Sequence, residues 1–173
     1  MVLLFLCGDK LVGELDNVET LCHLIITNKL ENATVIIPNP FDFNSTISVY
    51  INLNKKTEND VSFINGYPYI ECNVNISGDI LSIDESVDLT DPSALQTINS
   101  YVNTYLEDNI TSYLYKTAKE FKSDIANFGQ YVLPKYATWE DWIASDWLNN
   151  YQNSFFTVNV NTNIQSGYLF NKI

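Results

Sequence analysis

This chain of 173 residues has no arginine and a single histidine, and its three cysteines form no C-x-x-C pair. Each shortage narrows what the protein can do. Without arginine there are no guanidinium forks to read base edges. Nine lysines against 21 acidic residues leave a net charge of −12. A surface that acidic repels phosphate backbones and anionic lipid, which counts against nucleic-acid binding and unaided docking on a bilayer. One histidine, His23, cannot supply the three or four ligands of a structural metal site. It also lies near no candidate nucleophile in sequence. Cys7, Cys22 and Cys72 are odd in number and sit in apolar or alternating stretches, so they read as small buried hydrophobes rather than a disulfide framework.

Other absences point the same way. No G-x-S-x-G, Walker A or G-x-G-x-x-G motif is present. The acidic run "GDILSIDESVDLTD" lacks the spacing of a calcium loop. No apolar run approaches the ~18 residues of a spanning helix. The opening "VLLFLCG" looks at first like a lipoprotein signal. Its apolar run is too short, however, and no basic residue precedes it. The sequence therefore offers no catalytic residues, no metal ligands and no cofactor motif.

What is present is a core-forming composition, 46% hydrophobic and 17% charged. Val2–Cys7, a turn at Gly8-Asp9-Lys10 and Leu11–Leu15 read as two short strands. Asp16 and Glu19 have capping-box spacing and open a helix over 17–29. Its apolar stripe is Val18, Leu21, Cys22 and Ile25, with His23 off it. "ATVIIP" reads as a short buried strand, and 45–54 alternates as a half-buried one. Residues 55–67 read as a loop. "YIECNVNISGDILSID" reads as a hairpin turning at Ser77-Gly78-Asp79. Asp91 and Pro92 start a long helix whose stripe includes Ile98, Val102, Leu106, Ile110 and Leu114. Thr138 caps a further helix, with Trp139, Trp142 and Ile143 on its apolar side. "SFFTVNVNTNI" alternates cleanly, Phe156, Val158, Val160 and Ile164 on one face and asparagines mostly on the other. The pattern predicts an α+β fold: a mostly antiparallel β-sheet with a long helix and one or two further helices packed on one face. One domain spans 1–173, with 165–173 as a tail.

Two stretches carry a resemblance. "GDKLVGELDNVETLCHLIITNKL" and "FKSDIANFGQYVLPKYATWEDWIASDWLNNYQNSFFTVNVNTNIQSG" together resemble the opening and closing signatures of the C-terminal domain of the C subunit of bacterial spore germinant receptors, the Ger(x)C family. The matching residues are Asp9-Lys10-Leu11-Val12-Gly13, then Asp124, Ile125, Phe128, Gly129, Pro134, Trp139, Trp147, Val158, Val160 and Gly167. The likeness covers almost the whole chain. It departs from the family in basic residues: Ile164-Gln165-Ser166 precede the last glycine, and only Lys122 and Lys135 flank the Phe-Gly pair.

The resemblance implies a non-catalytic subunit domain that assembles with the A and B membrane subunits in nutrient-triggered germination. It also implies a place on the outer face of the spore inner membrane. The lipid anchor would lie upstream in a longer lipoprotein, so Cys7 is not the anchor. The expected partner surface is Asp124, Phe128, Gly129, Trp139, Trp142 and Trp147, with Gly129 supplying a backbone conformation closed to other residues. Two other readings remain open at this point: a small-ligand or carbohydrate-binding module on the tryptophans, and a cell-wall hydrolase using two carboxylates.

Overall fold

The computed structural model describes residues 3–7, 10–42, 44–83 and 87–166, with side chains from residue 13 onward. β1 (Leu3–Cys7) and β2 (Lys10–Leu15) form a separate antiparallel hairpin. Gly8, Asp9 and the Cys7 side chain lie outside the described residues. α1 (Asn17–Ile26) starts with the expected capping box: the Asp16 carboxylate accepts the Glu19 N–H, and Glu19 accepts the Asp16 N–H. The helix stops three residues earlier than the sequence pattern suggests, because Asn28 turns left-handed at φ 59°.

The main sheet joins β3 (Ala33–Pro38), β4 (Thr46–Leu53), β5 (Glu58–Ile64), β6 (Tyr67–Ser82) and β7 (Phe155–Ser166). β6 is its spine. β4 and β5 lie end to end against one edge of β6, both antiparallel to it, and β7 pairs in parallel with the other edge. β3 is antiparallel to β4 at one side. The sheet is thus mostly antiparallel, with one parallel pair reached through the long helix α2 (Pro92–Lys119).

The expected hairpin is misplaced. The turn lies at Asn65-Gly66, where φ values of 53° and 85° are those of a type I′ turn. The stretch 55–67 that read as a loop is mainly β5. Gly78 is mid-strand: a Cβ there would meet the Tyr50 carbonyl oxygen at 2.1 Å, so the residue serves close strand packing, not a turn. β3 is also less buried than its composition implies. It is an outer strand, and Ile36 is 63% exposed. β7 extends through Ser166, two residues into the expected tail. The remainder of that tail, 167–173 with Gly167, lies outside the described residues.

Alternation decides the faces. Ile70, Cys72, Val74, Ile76 and Ile80 of β6 and Phe156, Val160 and Ile164 of β7 are buried. Glu71, Asn73, Asn159, Asn161 and Asn163 point the other way, so one face is wet. The core face receives Ile98, Val102, Leu106, Ile110, Tyr113 and Leu114 of α2 and Cys22, Ile25 and Ile26 of α1. Burial pushes the thiols of Cys22 and Cys72 up to about 12, with nearby carboxylates adding to the effect. Both are free and inert core residues.

His23 corrects the sequence reading, which set it off the buried stripe. Its side chain is buried, and Nδ1 shares a 2.8 Å hydrogen bond with the Tyr113 hydroxyl of α2. Burial, with Lys29 nearby, lowers its pKa to about 4.

The outer edge of β7 is sealed by α2. Val160 donates its N–H to Glu107 Oε1 at 2.9 Å, Thr162 to Asn103 Oδ1 at 2.9 Å and Ile164 to Asn99 Oδ1 at 2.7 Å. Four helical residues rise about 6 Å and two strand residues about 6.6 Å, so helix and strand stay in step for two repeats.

Candidate interaction site

After α2 the chain turns sharply through Lys122 and Asn127, both left-handed (φ 49° and 63°). Asp124 sits between them, mostly buried. Its Oδ1 accepts the Phe128 N–H at 2.8 Å, and its Oδ2 accepts the Gly129 N–H at 2.7 Å. These are free N–H groups at the start of α3 (Gly129–Val132), so the carboxylate caps that turn. A 3₁₀ turn at Leu133–Lys135 follows, then α4 (Trp139–Ala144), capped by Thr138, and α5 (Trp147–Tyr151). Asp146, left-handed at φ 46°, separates α4 from α5.

Trp147 closes the circuit. Its indole N–H donates to Asp124 Oδ2 at 2.8 Å. The carboxylate thus ties α3 to α5 across 23 residues of chain. Burial raises the Asp124 pKa, and the bonds from Trp147, Gly129, Phe128 and Asn127 partly offset that rise. With its oxygens taken up by N–H donors, Asp124 holds structure.

Gly129 has a reason other than the one expected. It lies in a helical turn rather than in the left-handed region. A Cβ there would meet the Trp147 indole nitrogen at 2.9 Å and Trp142 Cη2 at 3.3 Å. Glycine is needed because two indoles pack onto its backbone.

The six residues singled out in the sequence separate into two groups. Phe128 is fully buried and stacks with Tyr151 at 6.2 Å between ring centroids. Asp124, Gly129 and Trp147, the last 7% exposed, form the frame around it. Tyr151 is anchored to α2 by a 2.7 Å hydrogen bond to Thr117. Trp142 lies partly exposed on that frame, stacked on Trp147 at 6.4 Å. Trp139 is 61% exposed, and Ile143 is 63% exposed, so neither belongs to the buried side of α4 that the sequence pattern suggests.

Sequence reasoning missed two surface residues beside them, Leu133 and Leu148. With Ile143 they join Gln130, Trp142 and Asp146 around an open cleft of about 520 Å³. Leu148 is 49% exposed. The signal available was weak: single apolar residues in short helices carry no legible period. Among the described residues, no group of three His, Cys, Asp or Glu side chains is placed to hold a metal ion. No helix among them is long and apolar enough to cross a membrane.

Fold and site together define an α+β module in which one mostly buried acid ties two short helices, α3 and α5, together beside a mixed sheet and leaves apolar side chains on their outer side. Over residues 2–167 the chain matches the family described as Spore germination B3/GerAC like, C-terminal, and it belongs to that family. It is a Ger(x)C C-terminal domain, as its two signature stretches imply. Spore germination protein KC of Bacillus subtilis (strain 168) is 32% identical over 87 residues, covering 50% of this chain and 21% of that protein. The crystal structure of the GerBC protein has the same fold, with a TM-score of 0.72 at 17% identity, over 90% of this chain and 48% of that one. The chain therefore spans less than half of the GerBC chain.

Proposed function

We propose that this chain is the C-terminal domain of a longer, non-catalytic germinant-receptor lipoprotein and acts by protein–protein contact. In this reading it assembles with the A and B membrane subunits on the outer face of the spore inner membrane, held there by a lipid anchor upstream. The six sequence-derived residues then divide their work: Asp124, Phe128, Gly129 and Trp147 set the frame, and Trp139 and Trp142 meet the partner.

One observation carries this reading. Trp139, Ile143, Leu148 and Leu133 are exposed on a base pinned by Asp124. Exposed apolar side chains on a rigid frame suit an interface, where aromatic anchors contribute most. The carbohydrate platform is less well supported, because Trp142 and Trp147 stack on each other and Trp147 is buried. The hydrolase reading names no particular pair of carboxylates, and at this cleft the Asp124 carboxylate is already bonded to Phe128, Gly129 and Trp147.

The test is a pair of surface substitutions, Ile143→Asp and Leu148→Asp, in the full-length protein in spores. We expect an unchanged circular dichroism spectrum, loss of co-isolation with the A and B subunits, and at least tenfold slower nutrient germination. Normal assembly and germination in a folded double variant would reject this surface as the interface.

A further inference from the structure

The five-stranded sheet has three outer edges, and the protein treats them differently. β7 is sealed by Asn99, Asn103 and Glu107 of α2. At β5, the Lys135 ammonium donates to the Val61 carbonyl. Just before β5, Asn28 brackets Thr57 by accepting its N–H at 2.6 Å and donating to its carbonyl at 3.2 Å. β3 has neither device. Its sequence, ATVIIP, is uncharged, and Pro38 at the far end is its one residue unable to donate. Among the described residues, no side chain or second strand pairs with its outer edge.

An unprotected apolar edge strand is a template for another strand, which is why proteins usually blunt such edges with charge, proline or a covering element. Here a second feature lies beside it. A groove of about 460 Å³ runs between β3 and α1, walled by Val18, Leu21, Leu24, Leu30, Val35 and Tyr105. Among the described residues, no charged side chain lines it. A strand added to β3 would direct every second side chain toward the helices, into that groove, and the alternate ones to the wet face.

We propose that the β3 edge is a strand-addition site for an extended segment of a partner protein. The free backbone groups specify the conformation, since only an extended chain can meet their spacing. The apolar groove specifies side chains such as valine or isoleucine at alternate positions. Charge specifies the flanks: Asp16 and Glu31 adjoin the groove residues Asn17 and Asn32 in sequence, and the chain carries −12 overall, so the segment is neutral or lysine-flanked, not acidic. This surface is separate from the α3–α5 cleft, and neither proposal depends on the other.

The test uses the whole chain with the peptide KVTVTVTK as probe and the same peptide with a central proline as control. Hydrogen exchange is followed at the amides of residues 33–37. The expected result is at least tenfold slower exchange of the outward-facing β3 amides with the strand peptide and no change with the proline peptide. Leu21→Asp in the groove wall should weaken the peptide's affinity at least tenfold. The proline control needs no protein variant, so it decides the matter even if that substitution fails to fold. Unchanged β3 exchange at millimolar peptide, an equal effect of the proline peptide, or protection confined to α3–α5 would each overturn the proposal. So would a dimer whose β3 amides are already protected without peptide, since a second copy would then hold the edge.

Discussion

Asn103, in the middle of the long helix, accepts the backbone N–H of Thr162 at 2.9 Å, 59 residues further along the chain. With Asn99 and Glu107 one helical repeat on either side, it supplies the partners that a neighbouring strand would otherwise provide to β7. A helix therefore completes a sheet edge through its polar face.

Removing one of these acceptors should expose that dependence. Asn103→Ala leaves the Thr162 N–H without its acceptor, at a cost of about 1–3 kcal/mol in urea unfolding. Asn103→Asp keeps an acceptor oxygen and should recover most of the loss. Exchange of the Thr162 amide should quicken in the alanine variant, whereas amides of the β3–β4 ladder report only the global change.

The Asp124–Trp147 bond predicts a local coupling. Trp147→Phe removes the indole donor and should cost about 1–3 kcal/mol. Asp124→Ala removes the acceptor of three described bonds and should cost more. A double-mutant cycle should give a smaller loss for the pair than the sum of the singles, because both substitutions remove the same interaction. Strict additivity would show that the indole bond is energetically idle.

Gly129→Ala tests packing at the same place. The added methyl would meet Trp147 at about 3 Å and force the indole aside. A loss of about 1–3 kcal/mol is expected, as for overpacking elsewhere. The tryptophan emission maximum should move to the red as Trp147 shifts toward water.

His23 makes stability depend on pH in a definite direction. Its pKa is lowered to about 4 in the folded protein from an ordinary value of 6.5. Between those values the unfolded chain takes up a proton that the folded chain does not. Its contribution is therefore complete above about pH 6.5 and is lost as pH falls toward 4, by on the order of 2 kcal/mol. The difference in unfolding free energy between the wild type and His23→Asn should shrink over that interval. A constant difference would mean that His23 is not held neutral.

Much of the fold was legible because its signals are local. The Asp16–Glu19 capping box, the Asp91-Pro92 start and the alternation of β7 each depend on residues within a turn or two of one another. The Asn65-Gly66 turn was equally local, and its dipeptide is among the strongest hairpin signals. It was masked by the polar run before it and by the turn-like Ser77-Gly78-Asp79, whose glycine answers a clash with Tyr50 on another strand. At the site, Asp124, Gly129 and Trp147 could be singled out by family likeness, but their roles could not. Those roles depend on where α5 returns.

By itself the sequence determined the α+β class, the long helix, the wet and dry faces of the last strand and the family, since periodicity, caps and ordered signature residues are properties of the linear chain. Tertiary structure alone decided that β7 lies parallel to β6, that asparagines on the polar side of α2 serve a sheet edge, that His23 meets Tyr113 across 90 residues, and that β3 has an open edge beside an apolar groove. Hydrogen-bond partners and close contacts between distant segments are set by how the helices and strands pack, and no local pattern encodes them.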